Sequence, residues 1–185
     1  MKLTVDSVMA LGPCSRWPRA RVQGVFKNRD SMSLAEVLAD EFVPTDDAIW
    51  LFYKVLEEAK ETRQLEWFFC WCVWQAAHLL KDQRTVEALR VTQRQVRGYV
   101  SKEKRAGAKK ALMATRVGEN SAWNAVYAIF WLAESTTKAT QLATAIEAAL
   151  AAADAHTTKG GFLKARTKQR QMAIRIAKRL DRATT

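Results

Sequence analysis

The chain has 185 residues, a formal net charge of +11, 49% apolar residues and only three prolines. That length suits one domain, or one domain with a small N-terminal annex, and the scarcity of proline favours an ordered, helix-rich chain. Charges interrupt every apolar run before it reaches the roughly 18 residues a membrane-crossing helix needs, and Met1–Asp6 carries no apolar signal region, so a cytoplasmic protein with no membrane partner is expected.

The first sixty residues read as short helices. Thr4 can cap a turn that stops at Leu11-Gly12-Pro13, and Pro18 fits the first turn of a second helix running through Val25. Ser33-Leu34-Ala35-Glu36 is a capping box, because the Ser33 hydroxyl and the Glu36 carboxylate can each take a free N–H of the first turn. Thr45 is placed to cap a longer helix with Asp46 and Asp47 in its electropositive first turn and Ile49, Phe52, Tyr53 and Leu56 on one face. The last two helices have the outline of a helix-turn-helix. Acids at both ends of the would-be reading helix, Asp46, Asp47, Glu57 and Glu58, would repel phosphate, and an N-terminal helical cap is the better reading.

The stretch 64–100 is the expected centre of the fold. At about 100° per residue, Trp67, Trp71, Trp74 and His78 share one stripe, and Leu65, Phe69, Cys72, Ala76 and Leu79 the opposite one. A helix apolar on two sides needs helices on both, which predicts an all-α, compact multi-helix bundle around a central helix buried on two faces. Beyond Leu80 the same helix is expected to turn amphipathic, with Leu89, Val96 and Val100 inward and Arg90, Arg94 and Arg97 in register beside them. Ser101 can cap a further segment that carries Lys102, Lys104, Arg105, Lys109 and Lys110. A long helical region follows over 120–155, with a break at Ser135–Thr137 and a stop at Lys159-Gly160-Gly161. The last helix, Phe162 to Arg182, sets Phe162, Ala165, Met172, Ala173, Ile176 and Leu180 against a basic face of Lys164, Lys168, Arg175, Lys178, Arg179 and Arg182. Two parts are expected: a short-helix cap over 1–62, and a bundle core over 63–185 that ends in the basic helix.

Charge is unevenly distributed: residues 31–66 carry −6, while 81–117 and 157–185 carry +8 each. In the last segment nine lysines and arginines are opposed by Asp181 alone. A one-sided surface of this kind steers toward an anionic partner, whether acidic protein, nucleic acid, nucleotide or anionic membrane, and the alanine-rich apolar face of the last helix argues against insertion into the last of these.

Catalytic chemistry has no signature here. His78 reads as a core histidine and His156 as a helix-end residue, and neither stands at metal-ligand spacing from a cysteine or carboxylate. Cys70 and Cys72 point about 200° apart on a helix and cannot pair, which suits a reduced compartment. Gly160-Gly161 forms no phosphate loop. Seven tryptophans could offer a stacking platform for bases, but Trp67, Trp71, Trp74 and Trp123 sit among aliphatic residues at helical spacing and read as core, leaving Trp17, between Arg16 and Arg19, as the exposed one. No enzyme activity and no cofactor are expected.

Several segments together resemble a known family: Leu11-Gly12-Pro13-Cys14, Ser33-Leu34-Ala35-Glu36-Val37-Leu38, Asp47-Ala48-Ile49-Trp50, Phe68-Phe69-Cys70-Trp71-Cys72 and an alanine-rich second half. They are similar to the immunity proteins of bacterial toxin systems, which have phage relatives. The resemblance implies an all-helical protein that binds and blocks, with no catalytic residues to carry over. This chain departs from the family in a more basic last helix and in fewer alanine-aromatic units. The leading expectation is a non-enzymatic immunity-type or anti-defence inhibitor that holds an acidic protein, a toxin or defence component, through Lys164, Lys168, Arg175, Lys178, Arg179 and Arg182 with the 90–110 cations. The alternative is a nucleic-acid or nucleotide binder using the same charges.

Overall fold

The computed structural model describes residues 1–75, 77–98, 100–115, 126–127 and 159–183. The fold is all-α. Among the described residues eight helices carry nearly all the regular structure, and the strands are one two-residue antiparallel pair, β1 (Lys2–Leu3) with β2 (Met32–Ser33), in register Lys2 to Ser33. The expected helical region over 120–155, with Trp123, the break at Ser135–Thr137 and His156, lies outside the described residues apart from Val126 and Tyr127, which are helical.

The chain divides into two compact units, Met1–Glu61 together with Arg166–Thr185, and Thr62–Ala165. From Arg166 onward the last helix therefore groups with the first 61 residues.

In the first unit, α1 (Val5–Ala10) opens on a capping box in which Thr4 accepts from the Ser7 N–H and Ser7 accepts from the Thr4 N–H. Pro18 precedes α2 (Arg19–Phe26), where its fixed φ suits the entry and its missing N–H is not needed. Ser33 and Glu36 close the expected box at the start of α3 (Leu34–Ala39). The next helix, α4 (Thr45–Glu58), starts one residue earlier than the capping pattern suggests: Pro44 takes the cap position and Thr45 is already helical. Its end is a Schellman closure, with the Glu61 N–H bonded to the Leu56 carbonyl, the Lys60 N–H to that of Glu57, and Lys60 left-handed at φ 59°. Phe26, Leu34, Leu38, Phe52 and Leu56 are fully buried, joined by Met172, Ala173, Ile176 and Ala177 from α8 (Lys159–Ala183).

In the second unit, α5 (Thr62–Trp74) packs with α6 (Gln83–Val96), and α6 with α7 (Lys102–Met113). Leu65, Phe68, Phe69, Cys70, Cys72 and Val73 are buried, whereas Trp67, Trp71 and Trp74 on the other side of α5 are half-buried. A buried hydroxyl chain joins α6 to the end of α7. Thr115 donates to the Leu112 carbonyl at 2.7 Å, so across the 3.2 Å contact Thr85 is the donor to Thr115.

Four further expectations are corrected. The central helix does not run from Leu65 through Leu80 into the Arg90 stretch: it stops at Trp74, a 3-10 turn occupies Ala77–Leu79, and Asp82 starts a new helix by accepting from the Arg84 N–H at 2.8 Å. His78, on that turn, is exposed and not a core residue. Trp17 is buried, at 9% exposure, with the Arg21 guanidinium 4.2 Å over its ring, because the loop before α2 folds its aromatic inward and leaves the flanking arginines outside. Gly160 and Gly161 are themselves helical, in the first turn of α8, where helix formation by the following residues outweighs their cost of about 1 kcal/mol each, and the region they were expected to close lies outside the described residues.

Candidate interaction surface

Two sides of α8 do different work. At about 100° per residue, Lys164, Lys168, Arg175, Lys178, Arg179 and Arg182 fall within about 100° of arc, and all six are exposed. At about 1.5 Å per residue the row runs about 27 Å along the helix. The side chains between them are Thr167 and Gln171, both exposed and neutral, so no acid interrupts the row.

The opposite side holds the helix in place. Ala165, Gln169, Met172, Ala173, Ile176 and Ala177 are buried. Arg166 is 8% exposed on its side chain; its Nε donates to Asp46 Oδ1 at 2.8 Å and its Nη1 to Gln169 Oε1 at 2.6 Å. Arg170 donates from Nε to the Leu38 carbonyl at 2.7 Å and from Nη2 to the Asp40 carbonyl at 2.6 Å. These two arginines are spent on the fold. Periodicity hints at it, since both lie well outside the arc of the six, but apart from Gln169 their partners stand more than a hundred residues away in sequence and nothing local names them. Burial lowers the Arg170 pKa and the nearby Asp40 charge raises it, the first prevailing.

The loop that Arg170 holds is braced from a second direction. The Asp40 carboxylate, 6% exposed, accepts from Lys27 Nζ at 2.9 Å and from the Phe42 N–H at 3.0 Å. Burial pushes its pKa up, yet these hydrogen bonds and the Lys27 charge outweigh that and hold it below the ordinary aspartate value.

The second expected set of cations belongs to the other unit. Arg90, Arg94 and Arg97 are exposed, but Arg90 reaches Glu87 at 3.4 Å, one helical turn away. On α7, Lys102, Lys104 and Lys110 are exposed while Arg105 and Lys109 are half-buried. Arg105 also faces Glu66 of α5: burial raises the Glu66 pKa and the Arg105 charge opposes it. The α6–α7 surface is thus basic but partly committed to its own acids.

Among the described residues no helix is long and apolar enough to cross a membrane. Also among them, no group of three His, Cys, Asp or Glu side chains is placed to hold a metal ion. Cys14 is exposed and a hydrogen bond with the Arg16 side chain lowers its pKa, whereas burial pushes Cys70 up to about 12. Comparison with family models, with curated proteins and with solved structures finds no match to this chain.

Proposed function

We propose that this protein works in the cytoplasm by binding and blocking, as an immunity-type or anti-defence inhibitor, and that the outer side of α8 holds an acidic protein partner. The observation that carries the reading is the division of labour on α8, where Arg166 and Arg170 fasten the helix while Lys168, Arg175, Lys178 and Arg179 stand exposed on another side of it. A basic row on a fixed helix speeds encounter with an acidic surface and sets its register. The resemblance to immunity proteins supports the same reading. Lys164 continues the row toward the start of the helix, and the exposed cations Arg90, Arg94, Arg97, Lys102, Lys104 and Lys110 give the other unit a basic surface of its own.

The test is affinity purification from the native host with the wild-type chain and with Lys168→Glu/Arg175→Glu/Arg179→Glu. One stoichiometric acidic protein, retained by the wild type and lost by the triple variant, is the expected result; an unchanged capture by the triple variant overturns it.

A second reading, contact with a nucleic-acid backbone, is favoured by one feature: the row contains no apolar side chain, and phosphate needs none. It requires nucleic acid to co-purify at low salt. It also requires the binding constant to fall with salt by a log–log slope of about −0.9 for each phosphate neutralised.

A further inference from the structure

A cavity of about 40 Å³ lies within the first unit, among α1 to α4. Val8 of α1, Val22 and Val25 of α2, Val37 of α3 and Leu51 of α4 are buried around it, and Trp17 supplies an aromatic wall. That is room for about three water-sized groups. Pro13, Asp47 and Trp50 are the wall residues left half-buried, so the mouth lies on their side. Asp47 is the one ionisable group among the described wall residues, and Arg16 Nη2 already meets its carboxylate at 3.4 Å.

One polar atom of this wall has no role in the fold. The indole N–H of Trp17, a residue nine-tenths buried, meets no acceptor among the described residues. The Arg21 guanidinium covers one face of that ring at 4.2 Å and does not line the cavity, so the cavity meets the indole away from that face. Nearly all buried donors in folded proteins have a partner, because leaving one unpaired is unfavourable.

We propose that this cavity is a binding site for a small uncharged molecule, apolar in its body and carrying one hydrogen-bond acceptor, a short-chain ketone being the simplest example. Its oxygen takes the Trp17 N–H and its alkyl part packs on the valines. Neither sign of charge suits the site. An anion would have to pass the Asp47 carboxylate, and a cation would find that carboxylate already paired. Water suits it poorly as well, since a buried water needs about two to four polar partners. The site is separate from the basic row on α8 and does not depend on it.

Three molecules of one shape test this on the full chain: butanone, its hydrocarbon isostere in which a CH2 group replaces the oxygen, and propanoate, its charged counterpart. The indole N–H signals of a proton–nitrogen correlation spectrum follow the titrations, and Trp17→Phe identifies the Trp17 signal among those of the seven tryptophans. Weak binding, in the millimolar range, is expected of molecules with so few atoms. Butanone should move the Trp17 signal downfield, as a new hydrogen bond does, and its protons should show nuclear Overhauser contacts to the Val22 and Val25 methyls. The hydrocarbon should make the same methyl contacts without the downfield shift. Trp17→Phe should weaken butanone about tenfold and the hydrocarbon by less than about threefold, the difference one hydrogen bond to a buried donor makes. If that variant does not fold, the wild-type spectrum alone decides. Absence of butanone binding, methyl contacts elsewhere in the chain, or propanoate binding as tightly as butanone overturns the site. Butanone bound with the Trp17 signal unmoved, or weakened by Trp17→Phe no more than the hydrocarbon is, overturns the role of the indole and with it the acceptor-bearing class of guest.

Discussion

Arg170 donates to the backbone carbonyl of Asp40 at 2.6 Å across 130 residues of chain, and the same guanidinium reaches the Leu38 carbonyl at 2.7 Å. Both acceptors lie at the end of α3, where the last carbonyls of a helix have no partner within it. Arg170→Met should therefore remove the side-chain donor from the part-buried Leu38 carbonyl, while the Asp40 carbonyl keeps the Val43 N–H, and cost about 1–3 kcal/mol. Arg175→Met, five residues on and exposed, should change stability by no more than about 0.5 kcal/mol. Urea denaturation of the two variants checks the contrast, and equal midpoints would show that α8 is not fastened where it is described.

Lys60 occupies a position that glycine normally fills. It lies at φ 59° just past the end of α4, in a closure whose hydrogen bonds are both made. A side chain in that conformation costs about 1–2 kcal/mol, part of which glycine's greater freedom in the unfolded chain takes back. Lys60→Gly is expected to stabilise by about 0.5–1 kcal/mol, read as an increase in denaturation midpoint; a decrease would mean the Lys60 side chain makes a favourable contact of its own.

Stability should fall in acid, with Asp40 as a main contributor. Its folded-state pKa is below the ordinary 3.8, because the Lys27 and Phe42 hydrogen bonds outweigh burial. Glu36 lies below 4.5 chiefly through the Ser33 N–H, but it is exposed and solvent weakens its share. Both groups bind protons more readily when unfolded, so their stabilisation is present above those values and is lost as pH falls through and below them. Asp40→Asn should be less stable than wild type at neutral pH, by about 1–2 kcal/mol, and the gap should be smaller at pH 3. Urea titrations at the two pH values measure it; a gap independent of pH would mean the Asp40 charge is irrelevant.

The three cysteines should separate by reactivity. Cys14 is exposed and its thiolate is favoured by the Arg16 side chain, while Cys70 and Cys72 are buried and Cys70 is pushed up to about 12. Thiolate fraction and access both set the rate of alkylation. Iodoacetamide on the folded protein should give one adduct, at Cys14, and three only after denaturation, as mass spectrometry would show. Comparable labelling of Cys70 would mean that α5 opens readily.

What the sequence made legible was local. The cap at Thr4, the box at Ser33 and the cap at Ser101 form as the residue spacing implies, because donor and acceptor lie within four residues of each other. The exposed row on α8 was legible too, since one helical period fixes which residues share a face. The break after Trp74 was missed because 65–80 contains no glycine or proline, although Asp82 carried the signal of a fresh start. Trp17 was misjudged from its arginine neighbours, one of which, Arg16, reaches outward to Asp47 at 3.4 Å while the indole turns in. Arg166, Arg170 and the bracing of Phe42 depend on partners that only the tertiary fold supplies.

The grouping of residues 166–183 with the first 61 also bears on how the molecule comes into being. A ribosome releases the N-terminal segment first, yet the arginines that grip Asp46, Leu38 and Asp40 emerge roughly a hundred residues later, a delay of several seconds at ~5–20 residues per second. Until then the apolar sides of α3 and α4 wait uncovered, with surface for a chaperone to hold. Synthesis halted before Arg166 would leave that early segment unfinished.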